Sequence, residues 1–165
     1  MNDQLERIVD EYSTHLLRIA YFYTKNRHAA EDIVQDVFLK FMEANYEERG
    51  QLKSYLSLLT INKSKDYLKS WAYKKLQFET KWWMKTTDQD HLVQQEERSK
   101  IGAAILKLSL KYREPIILYY FEEMSILQVA QVLQVNENTV KTRLRRAREQ
   151  LRPVLEGDWE VLNHD

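Results

Sequence analysis

The stretch that decides the fold is NENTVKTRLRRAREQL, residues 136–151. Asn136 is a good helix N-cap, because its side-chain oxygen can accept from an amide of the first turn. Beyond it Val140, Leu144, Ala147 and Leu151 recur at spacings of three and four and form one narrow apolar stripe on a helical wheel. Pro153 stops the helix. Between Thr139 and Arg152 stand six basic residues (Lys141, Arg143, Arg145, Arg146, Arg148, Arg152) against one acid, Glu149. Lys141, Arg145, Arg148 and Arg152 gather to one side of the stripe, while Thr142 and Arg146 lie opposite it. A solvated surface helix normally mixes both signs. This one buries a single stripe and turns a basic, hydrogen-bonding face outward.

Ser125 followed by Gln128 reads as a capping box that opens a preceding helix, with Ile126, Val129, Ala130 and Leu133 facing inward. A short turn at 134–136 joins the two. Together they make a helix-turn-helix with 136–152 in the recognition position. Gln134 stands where such turns usually place glycine, so a non-glycine residue is expected in left-handed backbone there. Arginine and lysine can hold phosphates or read guanine edges, and Thr or Asn can reach other base edges. The candidates for DNA contact are Asn138, Lys141, Thr142, Arg145, Arg146, Arg148 and Arg152. Of these, Lys141, Thr142, Arg145 and Arg146 are expected at base edges. Arg148 and Arg152, further along and nearer the stripe, are expected on phosphates.

Elsewhere the charges cancel. The 165 residues carry 25 Lys and Arg against 25 Asp and Glu, so any electrostatic message lies in distribution and not in net charge. The absence of cysteine removes disulfides, thiolate zinc sites and thiol catalysis, and suits a reducing cytosol. The polar, acidic start MNDQLERIVDEY does not read as a signal peptide, and no apolar run approaches the roughly 18 residues of a membrane span. Three glycines and two prolines are few for a chain of this length, which favours an all-helical fold.

Upstream, Leu5, Ile8, Tyr12, Leu16, Ile19 and Tyr23 mark an amphipathic helix over 3–24. A second is expected over roughly 29–44, with Ile33, Val37 and Phe41 on one face and Glu31 and Asp32 in its first turn, where carboxylates suit the helix dipole. Gly50 reads as a turn. A third helical pattern begins near Leu52 and runs through Leu56 and Leu59 to at least Leu68 and Trp71. Periodicity fades from about 74 to 96, where Trp82 and Trp83 are expected to pack on one of two domains. Ile101, Ala104, Ile105 and Leu108 then make one helix and YREPIILYYFEEM another, with Pro115 tolerable near its first turn. The fold is therefore expected to be all-α: a helical domain over 1–73, a linker over 74–96, and a helix-turn-helix domain over 97–165 with a short C-terminal tail.

At this point the sequence resembles a known family. YREPIILYYFEEMSILQVAQVLQVNENTVKTRLRRAREQLR, residues 112–152, resembles the promoter-binding region 4 of bacterial sigma factors. AEDIVQDVFLKFM (30–42) is similar to their polymerase-binding segment, and YLSLLTINKSKDYLK (55–69) to the segment that melts and reads the −10 element. Two regions without a large insert resemble the extracytoplasmic-function group of the sigma-70 family. Ile61 departs from this pattern, standing where arginine or another polar residue is frequent, and so does Ser109, where many members have proline.

The resemblance implies specific roles. Asp32, Gln35, Asp36 and Leu39 share one helical face, which in the family docks on the β′ coiled coil of core RNA polymerase; a contact with the β flap is also implied. Tyr46 and Asn62 match the pocket for a base flipped from the non-template strand, and Asn62 offers both a donor and an acceptor. Residues 63–75 hold Lys63, Lys65, Lys69, Lys74 and Lys75 against Asp66 alone, with Tyr67, Trp71 and Tyr73 interleaved. Lysines that follow a backbone and aromatics that stack on bases suit single-stranded DNA, although tyrosines at helical spacing are more often packed residues. The −35 element falls to the basic helix. Members are commonly held inactive by an anti-sigma factor, often membrane-anchored, so the implied partners are core RNA polymerase, promoter DNA and an anti-sigma factor. No cofactor, metal or small-molecule substrate is implied.

Catalysis finds little support: His15, His28, His91 and His164 are scattered, and no HExxH pair or glycine-rich phosphate loop is present. The competing reading is a conventional helix-turn-helix regulator that binds duplex DNA without being a polymerase subunit. Such regulators usually need two-fold symmetry, and nothing here reads as a dimer seam.

Overall fold

The computed structural model describes residues 2–44, 50–77 and 100–154, leaving aside the side chains of 2 and 71–77. These residues form two compact units, the first carrying α1 (Asn2–Thr24), α2 (Arg27–Glu43) and α3 (Leu52–Gln77). The second carries α4 (Lys100–Lys107), α5 (Leu110–Ile116), a wide turn at Ile117–Phe121, α6 (Ile126–Leu133) and α7 (Glu137–Leu151). Every regular element among the described residues is helical, as composition required.

In the first unit α1 packs against both α2 and α3. Its N-terminal half is amphipathic, but Leu16, Ile19, Ala20, Tyr21, Phe22 and Tyr23 are all buried. A helix apolar on every side belongs in a core, and here the last two turns of α1 are that core. α2 supplies Ile33, Val34, Val37 and Phe38. α3 supplies Leu56 and Ile61 together with Ser57, Thr60 and Ser64, which are as buried as the leucines. The hydroxyls of Thr60 and Ser64 donate to the carbonyl oxygens of Leu56 and Thr60, at 2.8 and 2.7 Å. These bonds remove the cost of burying them, and the small side chains let α3 lie close to its neighbours. Ile61 is fully buried, which explains why a polar residue is not needed there.

The start of α2 differs from expectation. Asn26 caps it, its side chain accepting from the Ala29 amide at 3.0 Å, so the first turn holds Arg27 to Ala30 and no acid. Glu31 and Asp32 sit one turn later, beyond the reach of the dipole, and Glu31 instead pairs with Arg27 at 2.8 Å. Gly50 has φ of +74°, the left-handed turn its residue type allows. α3 runs on to Gln77, four residues past the end expected for the first domain. The rest of the expected linker, including Trp82 and Trp83, lies outside the described residues, as does the C-terminal tail beyond 154.

In the second unit, Arg113 is buried and donates to the carbonyl oxygens of Leu106 and Leu108, at 3.3 and 3.1 Å. It thereby satisfies acceptors left open where α4 ends. Pro115 is the sixth residue of α5 and not part of its first turn, because the helix opens earlier, at Leu110. Proline cannot donate to the carbonyl four residues back. Directly after it the helix widens by one residue, with the Glu122 amide bonded to the Ile117 oxygen at 3.0 Å.

Candidate nucleic-acid and polymerase interfaces

The helix-turn-helix is built by local chemistry. Ser125 and Gln128 form the reciprocal capping box at 3.1 and 2.8 Å. α6 ends at Gln134 in left-handed backbone, φ 56° and ψ 44°, and the Val135 amide returns to the Ala130 oxygen at 3.0 Å. Asn136 then caps α7, its Oδ1 accepting from both the amide and the hydroxyl of Thr139, at 2.7 and 2.8 Å. Val140, Leu144, Ala147 and Leu151 are all buried and dock α7 onto α5 and α6.

That docking settles which side chains point out. Asn138, Lys141, Arg145, Arg146 and Arg152 are exposed; Thr142 and Arg148 are half-buried. The Thr142 hydroxyl donates to the Asn138 carbonyl at 2.9 Å, so its oxygen is set to accept from a base amine. Arg148 Nη1 donates to the Tyr120 hydroxyl at 3.0 Å. Arg143, which sequence reading counted but gave no role, flanks the buried stripe. It is half-buried, with Nε enclosed and without a hydrogen-bond partner. Its place beside the stripe was the signal available in the sequence.

On α2 the structure brings Asp32, Gln35, Asp36 and Leu39 onto one exposed face. Leu39 is 56% exposed, and Met42, three residues on, is 57% exposed. Met42 was missed, although its place off the Ile33–Val37–Phe41 stripe marks it as outward.

On α3, Asn62 and Lys69 are exposed and Lys63 and Lys65 half-buried. Helical spacing puts Asn62, Lys65 and Lys69 on one face and turns Lys63 away from it. Leu58, one turn before Asn62 on that face, is 40% exposed and was also missed. Tyr67 is half-buried, and burial pushes its phenol pKa up, so it packs as a neutral ring. Tyr46 lies outside the described residues, as do the side chains of Trp71, Tyr73, Lys74 and Lys75. Among the described residues no cluster of three His, Asp or Glu side chains could hold a metal, and no helix is long and apolar enough to cross a membrane.

Two helical units, one ending in a capped helix-turn-helix with a basic outer face, define a class that the comparisons identify. Residues 8–72 match the family described as sigma-70 region 2, and residues 98–151 match sigma-70, region 4. The ECF RNA polymerase sigma factor SigW of Bacillus subtilis (strain 168) is 31% identical over 167 residues, covering 93% of this chain and 89% of that protein. The chain therefore belongs to the extracytoplasmic-function sigma factors of the sigma-70 family. It is an RNA polymerase sigma factor that initiates transcription through promoter recognition; sigma factors bind core RNA polymerase and are not enzymes.

Two solved structures share the fold. RpoE in complex with the anti-sigma factor NepR, from Bartonella quintana, superposes with a TM-score of 0.71 at 20% identity, over 94% of this chain and 98% of that one. CnrH in complex with the cytosolic domain of CnrY gives 0.65 at 21% identity, over 96% and 91%.

Proposed function

We propose that the two units divide the promoter between them. α7 lies in the major groove of the −35 element. Lys141, Thr142, Arg145 and Arg146, with Asn138 at the entry, meet base edges there, while Arg148 and Arg152 meet phosphates. The Asn62–Lys65–Lys69 face of α3, with Tyr46 upstream, takes the melted −10 strand, while Lys63, turned away from that face, stays outside the contact. The Asp32–Gln35–Asp36–Leu39 face of α2, extended by Met42, docks on the β′ coiled coil of core polymerase, and the second unit meets the β flap. One observation carries this reading: α7 buries its whole apolar stripe, and six of the seven charges between Thr139 and Arg152 are positive. Such a face suits a polyanion with grooves better than a protein surface.

An anti-sigma factor, membrane-anchored in the fuller form of this reading, keeps the protein inactive in the cytoplasm until a signal releases it. Support comes from the fold relative RpoE, solved in complex with the anti-sigma factor NepR, beside which CnrH was solved with the cytosolic domain of CnrY. No cofactor or small-molecule substrate enters the function.

The test is promoter selection from a library randomised at −35, using holoenzyme that carries each alanine variant. Arg146→Ala is expected to relax preference at one base position, by about 1–3 kcal/mol of discrimination. Arg148→Ala is expected to weaken all sequences alike. Unchanged base preference in the Lys141, Thr142, Arg145 and Arg146 variants would reduce α7 to a backbone grip.

A further inference from the structure

The bond between Arg148 and Tyr120 joins two elements 28 residues apart. Tyr120 belongs to the wide turn at Ile117–Phe121 that follows Pro115. One extra residue in a helical turn rotates everything after it by about 100° relative to a regular helix, so the widened turn sets where Tyr120 points. The ring of Tyr119 meets that of Tyr120 edge to face, at 4.9 Å between centroids and 90° between planes. This edge contact braces the phenol from the side. Across the gap, Arg148 stands in the row Lys141–Arg145–Arg148–Arg152, and its Nη1 reaches the Tyr120 hydroxyl on another element.

We propose that Tyr120 is a positioning residue for promoter binding: its hydroxyl holds the Arg148 guanidinium ready for a DNA phosphate. The inference rests on the reading of α7 as the −35 helix. Two physical points carry it. An arginine side chain has many rotamers to lose when it grips a phosphate, and a partner that orders it beforehand removes part of that cost from binding. A phenol also accepts the hydrogen bond without neutralising the guanidinium, whereas a carboxylate in its place would orient the group and cancel the charge that attracts the phosphate. Pro115, the widened turn and the two tyrosines thus act on DNA through a residue that is not theirs.

The experiment measures holoenzyme binding to a pool of promoter duplexes randomised at −35, across a range of salt concentrations. The proteins compared are the parent, Tyr120→Phe, Arg148→Ala and the double variant. Tyr120→Phe keeps the ring and its packing and removes only the hydroxyl. It is expected to weaken binding by about two- to tenfold, the worth of one hydrogen bond, for all sequences alike and with base preference unchanged. Arg148→Ala is expected to weaken binding further and to lower the salt slope by about 1. In the Arg148→Ala background, Tyr120→Phe should add nothing. Parent-like or tighter binding by Tyr120→Phe, beside a weakened Arg148→Ala, would overturn the positioning role and leave the −35 reading standing. An equal loss in both backgrounds would overturn it too, by showing that the hydroxyl acts elsewhere. If Arg148→Ala itself kept the parent's affinity and salt slope, the phosphate assignment would fail first and the proposal with it.

Discussion

α2 and α7 are helices of similar length, 17 and 15 residues, and each buries one apolar stripe. Inward they are alike, with Ile33, Val34, Val37 and Phe38 in one and Val140, Leu144, Ala147 and Leu151 in the other. Outward they differ in kind. α2 sets Leu39 and Met42, both more than half exposed, among Asp32, Gln35 and Asp36. α7 exposes no large apolar side chain at all, and its charges are five basic residues against the two acids Glu137 and Glu149. Exposed apolar groups gain from a partner that can remove them from water, which a protein surface does and a phosphate backbone does not. The inner stripe makes the fold, and the outer one chooses the chemistry of the partner.

Two leucines give the sharpest way to break this comparison. Leu144 is 2% exposed, and Leu144→Ala is expected to cost about 2–5 kcal/mol in urea unfolding of the full chain. Leu39→Ala should shift stability by no more than about 0.5 kcal/mol, while weakening association with core polymerase in an equilibrium binding assay. Asp36→Arg should do the same. A Leu39 variant as unstable as the Leu144 variant would mean that the outer face of α2 is not an outer face.

α3 stands between these extremes, showing Leu58 on the same face as Asn62, Lys65 and Lys69. A melted strand offers both base faces and phosphates, so a mixed surface is what it would require. Tyr46→Ala and Asn62→Ala are expected to impair open-complex formation more than the closed complex, as read by permanganate footprinting on a cognate promoter. Stacking contributes about 1–3 kcal/mol per base, which sets the scale for Tyr46. Equal melting by the parent and both variants would return these residues to structural roles.

The smallest expected effect isolates the turn that aims α7. Gln134 occupies left-handed backbone, which costs a side-chain-bearing residue more than glycine. Gln134→Gly is expected to raise unfolding stability by about 0.5–1 kcal/mol with −35 preference unchanged. A changed preference would show that the turn residue itself contributes to recognition.

Much of this architecture was legible because its causes are local. The capping box at Ser125 and Gln128, the Asn136 cap and the strained Gln134 each involve groups within a few residues of one another. α2 was misread at its start for an equally local reason. Asn26 was passed over as a cap in favour of the acids at 31 and 32, which moved the first turn and gave Glu31 a dipole role that its bond to Arg27 replaces. Pro115 was placed too early in its helix because Leu110, two residues ahead of the expected start, is where that helix begins.

The sequence by itself determined the helices, the caps at Ser125 and Asn136, the apolar stripe of α7 and the mainly basic surface beside it, since periodicity and capping act over three or four residues. Only the tertiary structure decided which side of α3 is inside. There Ser57, Thr60 and Ser64 are buried as deeply as leucine, because α1 and α2 close over them, and the hydroxyls of Thr60 and Ser64 turn back on the helix. It also decided that Met42 and Leu58 stay in water and that Arg148 finds Tyr120. Those outcomes depend on how one helix docks on another, a long-range geometry that no short window of sequence contains.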